Sequence, residues 1–420
     1  MGVARSSELD SCCLLPPRKT SYSVLVPRSS SKRVASSCCH LPRTSESSKQ
    51  NFCFWIYCSM ASLTTSMTES ERIEVDGKPA LERYITAGGD FVTREQATLL
   101  QMYSESGALE FTEMGKDRSH SEGLSEYINA LLAVVSKITD LPVVRYLVSL
   151  LDTVTQAIQY TMAFGVPDLS LTTKFRRHLD GTDMFSAQKA SMVLGRFTTI
   201  DLPKEQIQLH LGWICENLTG GPCTEAALSS LMICLSKVSN RAELLSMNGL
   251  RLLVNVCKTC TADQAQRMYE ACFCLWVLSF GDDEATMDFG RSGAVDILCS
   301  FASKSTSREK VTRVCLEALR NLVTKNDGEF CQLMLDPPNN LLMVTTGLLE
   351  RHWGDSEISD SIKELRDVLQ KNFKILTSFE RYEKELNKGE LIFGPVSEVG
   401  SSFSSFSSFS SSSSSSSSGW

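Results

Sequence analysis

Apolar residues recur 44 positions apart in six separate columns, and that spacing limits what this chain can fold into more than any other feature. Ala227, Ala271 and Cys315 share the offset, as do Leu231, Leu275 and Leu319, and Cys234, Leu278 and Leu322. The following helix repeats it at Leu245/Phe289/Leu333, Leu253/Ile297/Leu341 and Val254/Leu298/Leu342. Gly249 and Gly293 keep the same spacing just ahead of an apolar helix, where a tight turn suits glycine. Within each copy the stripe Ala-x-x-x-Leu-x-x-Leu marks one face of a helix. Turn signals such as Gly220-Gly221-Pro222 and Asp336-Pro337-Pro338 punctuate Lys78 to Leu391, and no stretch alternates as a strand would. A helical period of this length is that of armadillo or HEAT units, each of which buries its apolar face only by stacking on neighbours. The predicted fold is all-α: an armadillo/HEAT-type right-handed superhelical solenoid with disordered N- and C-terminal extensions.

The stripe extends toward the N-terminus. Ala190, Leu194 and Phe197 fit it 37 residues ahead of Ala227, Leu231 and Cys234, and Ile128, Leu132 and Val135 read as a still earlier copy. About five to six units are expected from roughly Ser121 to Phe379, with Pro79–Tyr103 as a capping helix. This divides the chain into an extension at 1–59, capping helices at 60–120, repeats at 121–391 and a tail at 392–420. The extension is Ser-rich and Arg-bearing, interrupted by Pro16-Pro17, Pro27 and Pro42. It reads either as a transit-like segment or as a stretch ahead of a true start at Met60 or Met67. The tail, Ser401–Gly419, is almost pure Ser with Phe403, Phe406 and Phe409, too poor in core-forming residues to offset its ordering entropy.

Charge excludes two function classes. Residues 1–59 hold eight Lys/Arg and three Asp/Glu, which leaves 34 basic and 46 acidic side chains in the remainder, a net of −12. An acidic body repels phosphate backbones, so no nucleic-acid partner is expected. No run of apolar residues approaches the ~18 that a membrane span needs, so direct membrane insertion is not expected either.

A search for chemistry leaves no catalytic, cofactor-binding or metal residue to nominate, and partner-binding residues stay unassigned. The strongest metal candidate is Cys257-Lys-Thr-Cys260 with Cys272-Phe-Cys274, whose spacing could supply four thiolates to zinc. Against it, Cys272 aligns with Leu228 and Leu316 and Cys257 with Phe301, positions that are apolar in other units. Gly115-Lys116 precedes Asp117 and Gly77-Lys78 precedes Pro79, so neither completes a phosphate-binding loop. The five histidines (His40, His120, His178, His210, His352) stand singly. Asn217-Leu-Thr219 matches a glycosylation acceptor at a helix end, and Lys174-Phe175-Arg176-Arg177 offers either an acidic-partner site or a solvated turn. A solenoid without such motifs holds partners rather than transforming substrates, so the chain is not expected to be an enzyme and needs no cofactor.

Several segments together resemble one family. Tyr269-Glu-Ala-Cys-Phe-Cys-Leu-Trp-Val-Leu-Ser-Phe280, Glu309-Lys-Val-Thr-Arg313 through Leu322, Ile358-Ser-Asp-Ser-Ile362, and Leu376-Thr-Ser-Phe-Glu-Arg-Tyr-Glu-Lys-Glu-Leu386 are similar to the H subunit of the V-type proton-pumping ATPase. The resemblance covers about Lys78 to Leu391, the family's N-terminal domain. It implies a non-catalytic regulatory or accessory component of the cytosolic sector, peripheral on vacuolar or endomembrane surfaces. The implied partners are the E and G subunits of the stator stalk and the cytosolic part of the membrane-embedded a subunit. The implied role is support of coupled ATP hydrolysis and proton transport. After Leu391 the Ser/Phe tract stands where the family has a second domain tied to silencing of detached sectors, either through true truncation or through a wrong reading frame, and silencing is not expected of the chain as it stands. The alternative is an armadillo adaptor that binds peptides or proteins in a concave groove through Trp and Asn ladders. Trp276 and Asn321 are its only hints.

Overall fold

A computed structural model describes residues 77–376, apart from short interior stretches of which 159–166 is the longest, together with Leu386. The expectations for both extensions therefore fall outside the described residues. Among those described, every regular element is a helix. The series opens with α1 (Arg94–Met102), α2 (Arg118–Val135), α3 (Leu141–Ile158) and α4 (Leu169–Phe175). A two-helix unit follows, α5 (Met184–Phe197) and α6 (Lys204–Leu218). Three full units come next: α7 (Thr224–Cys234), α8 (Val238–Ser246) and α9 (Gly249–Thr259); α10 (Ala265–Leu278), α11 (Asp283–Ser292) and α12 (Ala294–Lys304); α13 (Glu309–Lys325), α14 (Glu329–Leu335) and α15 (Leu341–Leu349). The last helix is α16 (Ser356–Leu376).

The stripe decides how these pack. Helices α3, α5, α7, α10, α13 and α16 stack each on the next, while α6, α9, α12 and α15 form a second row against the following stripe helix. This is the stacking of an armadillo/HEAT array. All nine residues of the first three columns are at most 1% exposed. Burying one such Leu stabilises by about 1.5–3 kcal/mol, so the columns supply a continuous core.

Two sequence expectations need correcting. Ile128, Leu132 and Val135 are buried, but on α2; the helix stacked on α5 is α3. Its stripe is Leu147-x-x-x-Leu151-x-x-Val154, fully buried and 43 residues ahead of Ala190, Leu194 and Phe197. A Leu in the first place hid it from a pattern that began with Ala. Pro79–Tyr103 is likewise not one capping helix. Helical residues at 80–86 and α1 are separated by a bend, and Thr93 starts α1 afresh through a capping box with Gln96. The stripe also continues to the other end, 43 residues beyond Cys315, Leu319 and Leu322, as buried Ile358, Ile362 and Leu365 on α16.

The columns on the flanking helices are only partly inward. Phe289, Leu253, Leu341, Val254 and Leu298 are buried, whereas Leu245, Leu333, Ile297 and Leu342 are half-buried. These helices are covered on one side only, and turns of unequal length rotate them relative to the period. Each is entered through a left-handed residue: Asn248 (φ 58°) before α9, Gly293 (φ 78°) before α12 and Asn340 (φ 42°) before α15. Glycine is demanded for another reason at Gly249, where a Cβ would meet the Leu244 side chain at 2.3 Å. The 37-residue spacing has a direct cause: the α5–α6 unit lacks the short middle helix. At the far end α16 turns Asp360, Lys363, Asp367, Gln370 and Lys371 to solvent, a polar cap on the stack.

Candidate functional site

The cysteine group is core. Cys257, Cys272 and Cys274 are at most 1% exposed, and the Cys272 thiol on α10 contacts those of Cys257 on α9 and Cys315 on α13. Hydrogen bonding to Cys272 and burial push Cys257 well above the ordinary thiol range, burial does the same to Cys274, and burial raises Cys260 to about 11. Among the described residues no group of three or more His, Cys, Asp or Glu is placed to hold a metal ion.

The two arginines of the basic cluster are taken up by the fold, while Lys174 is exposed. Phe175 is fully buried, the Arg176 guanidinium donates to Leu209 O at 2.7 Å, and Arg177 Nη2 donates to Val135 O and Ile138 O. Arg177 thereby satisfies carbonyls left open where α2 ends. His210 is buried, with Nε2 2.8 Å from Ser230 Oγ, and burial with Arg176 nearby pushes it down to about 3. It is neutral at physiological pH and has no acid–base partner. Asn217 accepts from Cys223 N and donates to Trp213 O, which commits the amide that a glycan would modify. Trp276 and Asn321 both lie on stripe helices; Trp276 is 8% exposed and Asn321 donates to Ser279 Oγ at 3.0 Å. They form no ladder on the outer row. His40 and the extensions lie outside the described residues, as does the side chain of His120.

The polar chemistry that sequence reasoning missed lies between stripe helices. At the α3–α5 junction Asp152 is 4% exposed and binds two cations, Arg196 Nη1 at 2.5 Å and Lys189 Nζ at 2.6 Å. Burial alone would raise this carboxyl, but Arg196 and Lys189 outweigh it and hold it below the ordinary range. Arg145 pairs with Asp183, the N-cap of α5, on the same junction. At the α7–α10 junction Glu270 is 3% exposed and accepts from Ser229 Oγ (3.1 Å) and Gln266 Nε2 (2.9 Å), without a cation in contact. Burial raises it to about 7. At the α13–α16 junction Arg313 binds Asp355 and Glu357, and Arg320 binds Glu317 and Glu364. A signal existed for each buried acid and its partners: one charged residue inside an apolar stripe, with Asp152, Lys189 and Arg196 separated by one repeat length (37 and 44).

One cavity, of about 270 Å³, opens beside α2 and α3, lined by Leu81, Glu82, Leu100, Tyr127 and Tyr146 among others. Its lining contains a single carboxylate, Glu82, and neither His nor Cys. Among the described residues, neighbouring stripe helices are joined by ion pairs such as Arg196–Asp152 and Arg320–Glu364.

Residues 92–369 of this chain match the model of the V-ATPase H-subunit family. The chain belongs to that family. The matched span contains every stripe position from Leu147 on α3 to Leu365 on α16. The H subunit of the V-type proton ATPase from Dictyostelium discoideum is 25% identical over 321 residues, 74% of this chain and 70% of its own. The probable H subunit of the V-type proton ATPase from Oryza sativa subsp. japonica is 30% identical over 189 residues, 44% of this chain and 40% of its own. The Drosophila melanogaster H subunit is 25% identical over 315 residues, 70% of this chain and 66% of its own. This member of the V-ATPase H-subunit family thus spans between 40% and 70% of the lengths of those relatives. A designed armadillo repeat protein of known structure aligns with 62% of the chain at 13% identity and a TM-score of 0.39, too slight a likeness to bear on function. No helix of the described residues is long and apolar enough to cross a membrane.

Proposed function

We propose that this chain is a non-catalytic accessory component of the vacuolar-type proton-pumping ATPase, docked peripherally on the cytosolic face of vacuolar or endomembranes. Its repeats, residues 121–391, brace the stator stalk of E and G subunits toward the cytosolic part of the membrane-embedded a subunit and so support coupled ATP hydrolysis and proton transport. The family match over residues 92–369 carries this reading. The stack supports it physically: a brace must resist bending, and columns such as Leu231/Leu275/Leu319 leave the stripe helices no room to slide. The adaptor alternative has less behind it, because Trp276 and Asn321 are taken up within the stack. Reconstitution tests the proposal. Full-length chain added to V-ATPase lacking its H subunit is expected to bind the E–G stalk and to restore ATP-driven acidification of vesicles. Failure to bind the stalk, with capture of basic peptides instead, would replace the brace with the adaptor.

A further inference from the structure

Two buried acids occur among the described residues, and they are treated differently. Asp152 has two cations; Glu270 has none in contact. Arg267, one turn away on α10, is turned to Glu225 of α7 at 2.8 Å. Both donors that reach Glu270, Ser229 Oγ and Gln266 Nε2, converge on Oε1. Oε2 receives no donor from the protein, and only the 3% of the residue left exposed can bring it water, so an ionised carboxylate there would be poorly solvated, whereas Oε2–H removes the charge and leaves Oε1 as a satisfied acceptor. The surroundings give little relief: Arg267 favours the charged form, but less than burial opposes it. From α7 the facing charged group is Glu225, and on α10 itself are Arg267 and the thiol Cys274. Helix α9 brings the thiols Cys257 and Cys260 toward α10, and α13 brings Cys315. The α13 guanidiniums Arg313 and Arg320 are bound to Asp355, Glu357, Glu317 and Glu364.

We infer that the α7–α10 junction is a proton-sensitive joint, closed around Glu270 as a neutral carboxylic acid and loosened when that proton leaves. Burial places the release near pH 7, within the range a cytosolic surface experiences. The sign follows from linkage. An exposed Glu in the unfolded chain loses its proton near its ordinary value of about 4.3, while folded Glu270 keeps it to about 7. The folded state therefore holds the extra proton in between, and stability falls as pH rises. One proton changes the folding constant by about tenfold per pH unit, so the whole window amounts to a few hundredfold at most.

The test uses the full chain. Denaturation is followed from pH 5 to 8.5 for wild type and Glu270→Gln, an isostere that keeps the Oε1 acceptor. Wild type is expected to lose stability relative to the variant from pH 5 to about 7 and to run parallel to it above, and hydrogen exchange corrected for intrinsic rate is expected to quicken in α7 and α10 but not in α3. Parallel curves for the two proteins over the whole range would overturn the joint. If Glu270→Gln does not fold, wild-type infrared difference spectra decide instead: a protonated-carboxyl band is expected to disappear near pH 7, and Ser229→Ala, which removes a donor to the ionised form, is expected to move that midpoint upward. No band change between pH 5 and 8.5, or a midpoint indifferent to Ser229, would equally overturn it.

Discussion

The α3–α5 and α7–α10 junctions join neighbouring stripe helices in the same way, and each encloses one carboxylate at 3–4% exposure. At the first, Asp152 is held ionised by Arg196 and Lys189; at the second, Glu270 meets only neutral donors. The fold supplies equal burial to both, so the difference lies in the partners. With cations present, Coulomb attraction outweighs desolvation and the charged form is kept; without them, desolvation prevails and the neutral form is kept up to about pH 7. The two junctions therefore respond to pH with opposite sign. Asp152 contributes stability at neutral pH that is lost as pH falls below the ordinary carboxyl range, whereas the contribution tied to protonated Glu270 is lost as pH rises toward 7.

The comparison can be extended to a carboxylate with neither cation nor donor. Leu275→Asp puts one at a fully buried column position between the Leu231 and Leu319 layers. Loss of the Leu alone costs about 2–5 kcal/mol, and the unpaired charge adds to it, so unfolding by calorimetry near neutral pH is the expected outcome. A variant melting like wild type would show that the column is not core.

Breaking the Asp152 site ranks next. Asp152→Ala leaves Arg196 enclosed without a counter-charge and is expected to cost about 3–5 kcal/mol by denaturant titration. The double variant Asp152→Ala/Arg196→Met is expected to recover most of that loss. Simple additivity of the two single changes would mean that the ion pair is not what matters at the junction.

The smallest effect sharpens the comparison most. Arg267→Ala removes a partly exposed pair with Glu225 and is expected to change stability by less than about 1 kcal/mol. Because Arg267 lowers Glu270, its loss should also shift proton release at Glu270 upward, read from the midpoint of the carboxyl infrared band. An unmoved midpoint would show that Arg267 does not act on that carboxyl.

The stripe was legible because helical period and unit length both leave marks in one dimension: Leu231, Leu275 and Leu319 are 44 apart whatever the packing details. It faded where the unit changed, at Leu147/Leu151/Val154 with no leading Ala and at Ile358/Ile362/Leu365 one residue off the period. The polar interior was harder to read. Glu270 is one letter within an apolar run, and Arg196 stands one place from Phe197 with nothing local to say that it points inward.

The sequence by itself determined the all-α repeat, its period, the absence of any familiar catalytic motif and the family resemblance, because periodicity and short motifs are local properties of the chain. Only the tertiary structure decided that α3 rather than α2 continues the stack, that the Cys272 thiol packs against those of Cys257 and Cys315, and that Arg176 and Arg177 hold backbone carbonyls. It also decided which buried acid keeps its charge. That outcome depends on whether a cation from the neighbouring helix lies within about 3 Å of the carboxylate or turns to another partner, since Coulomb energy falls with distance while desolvation does not.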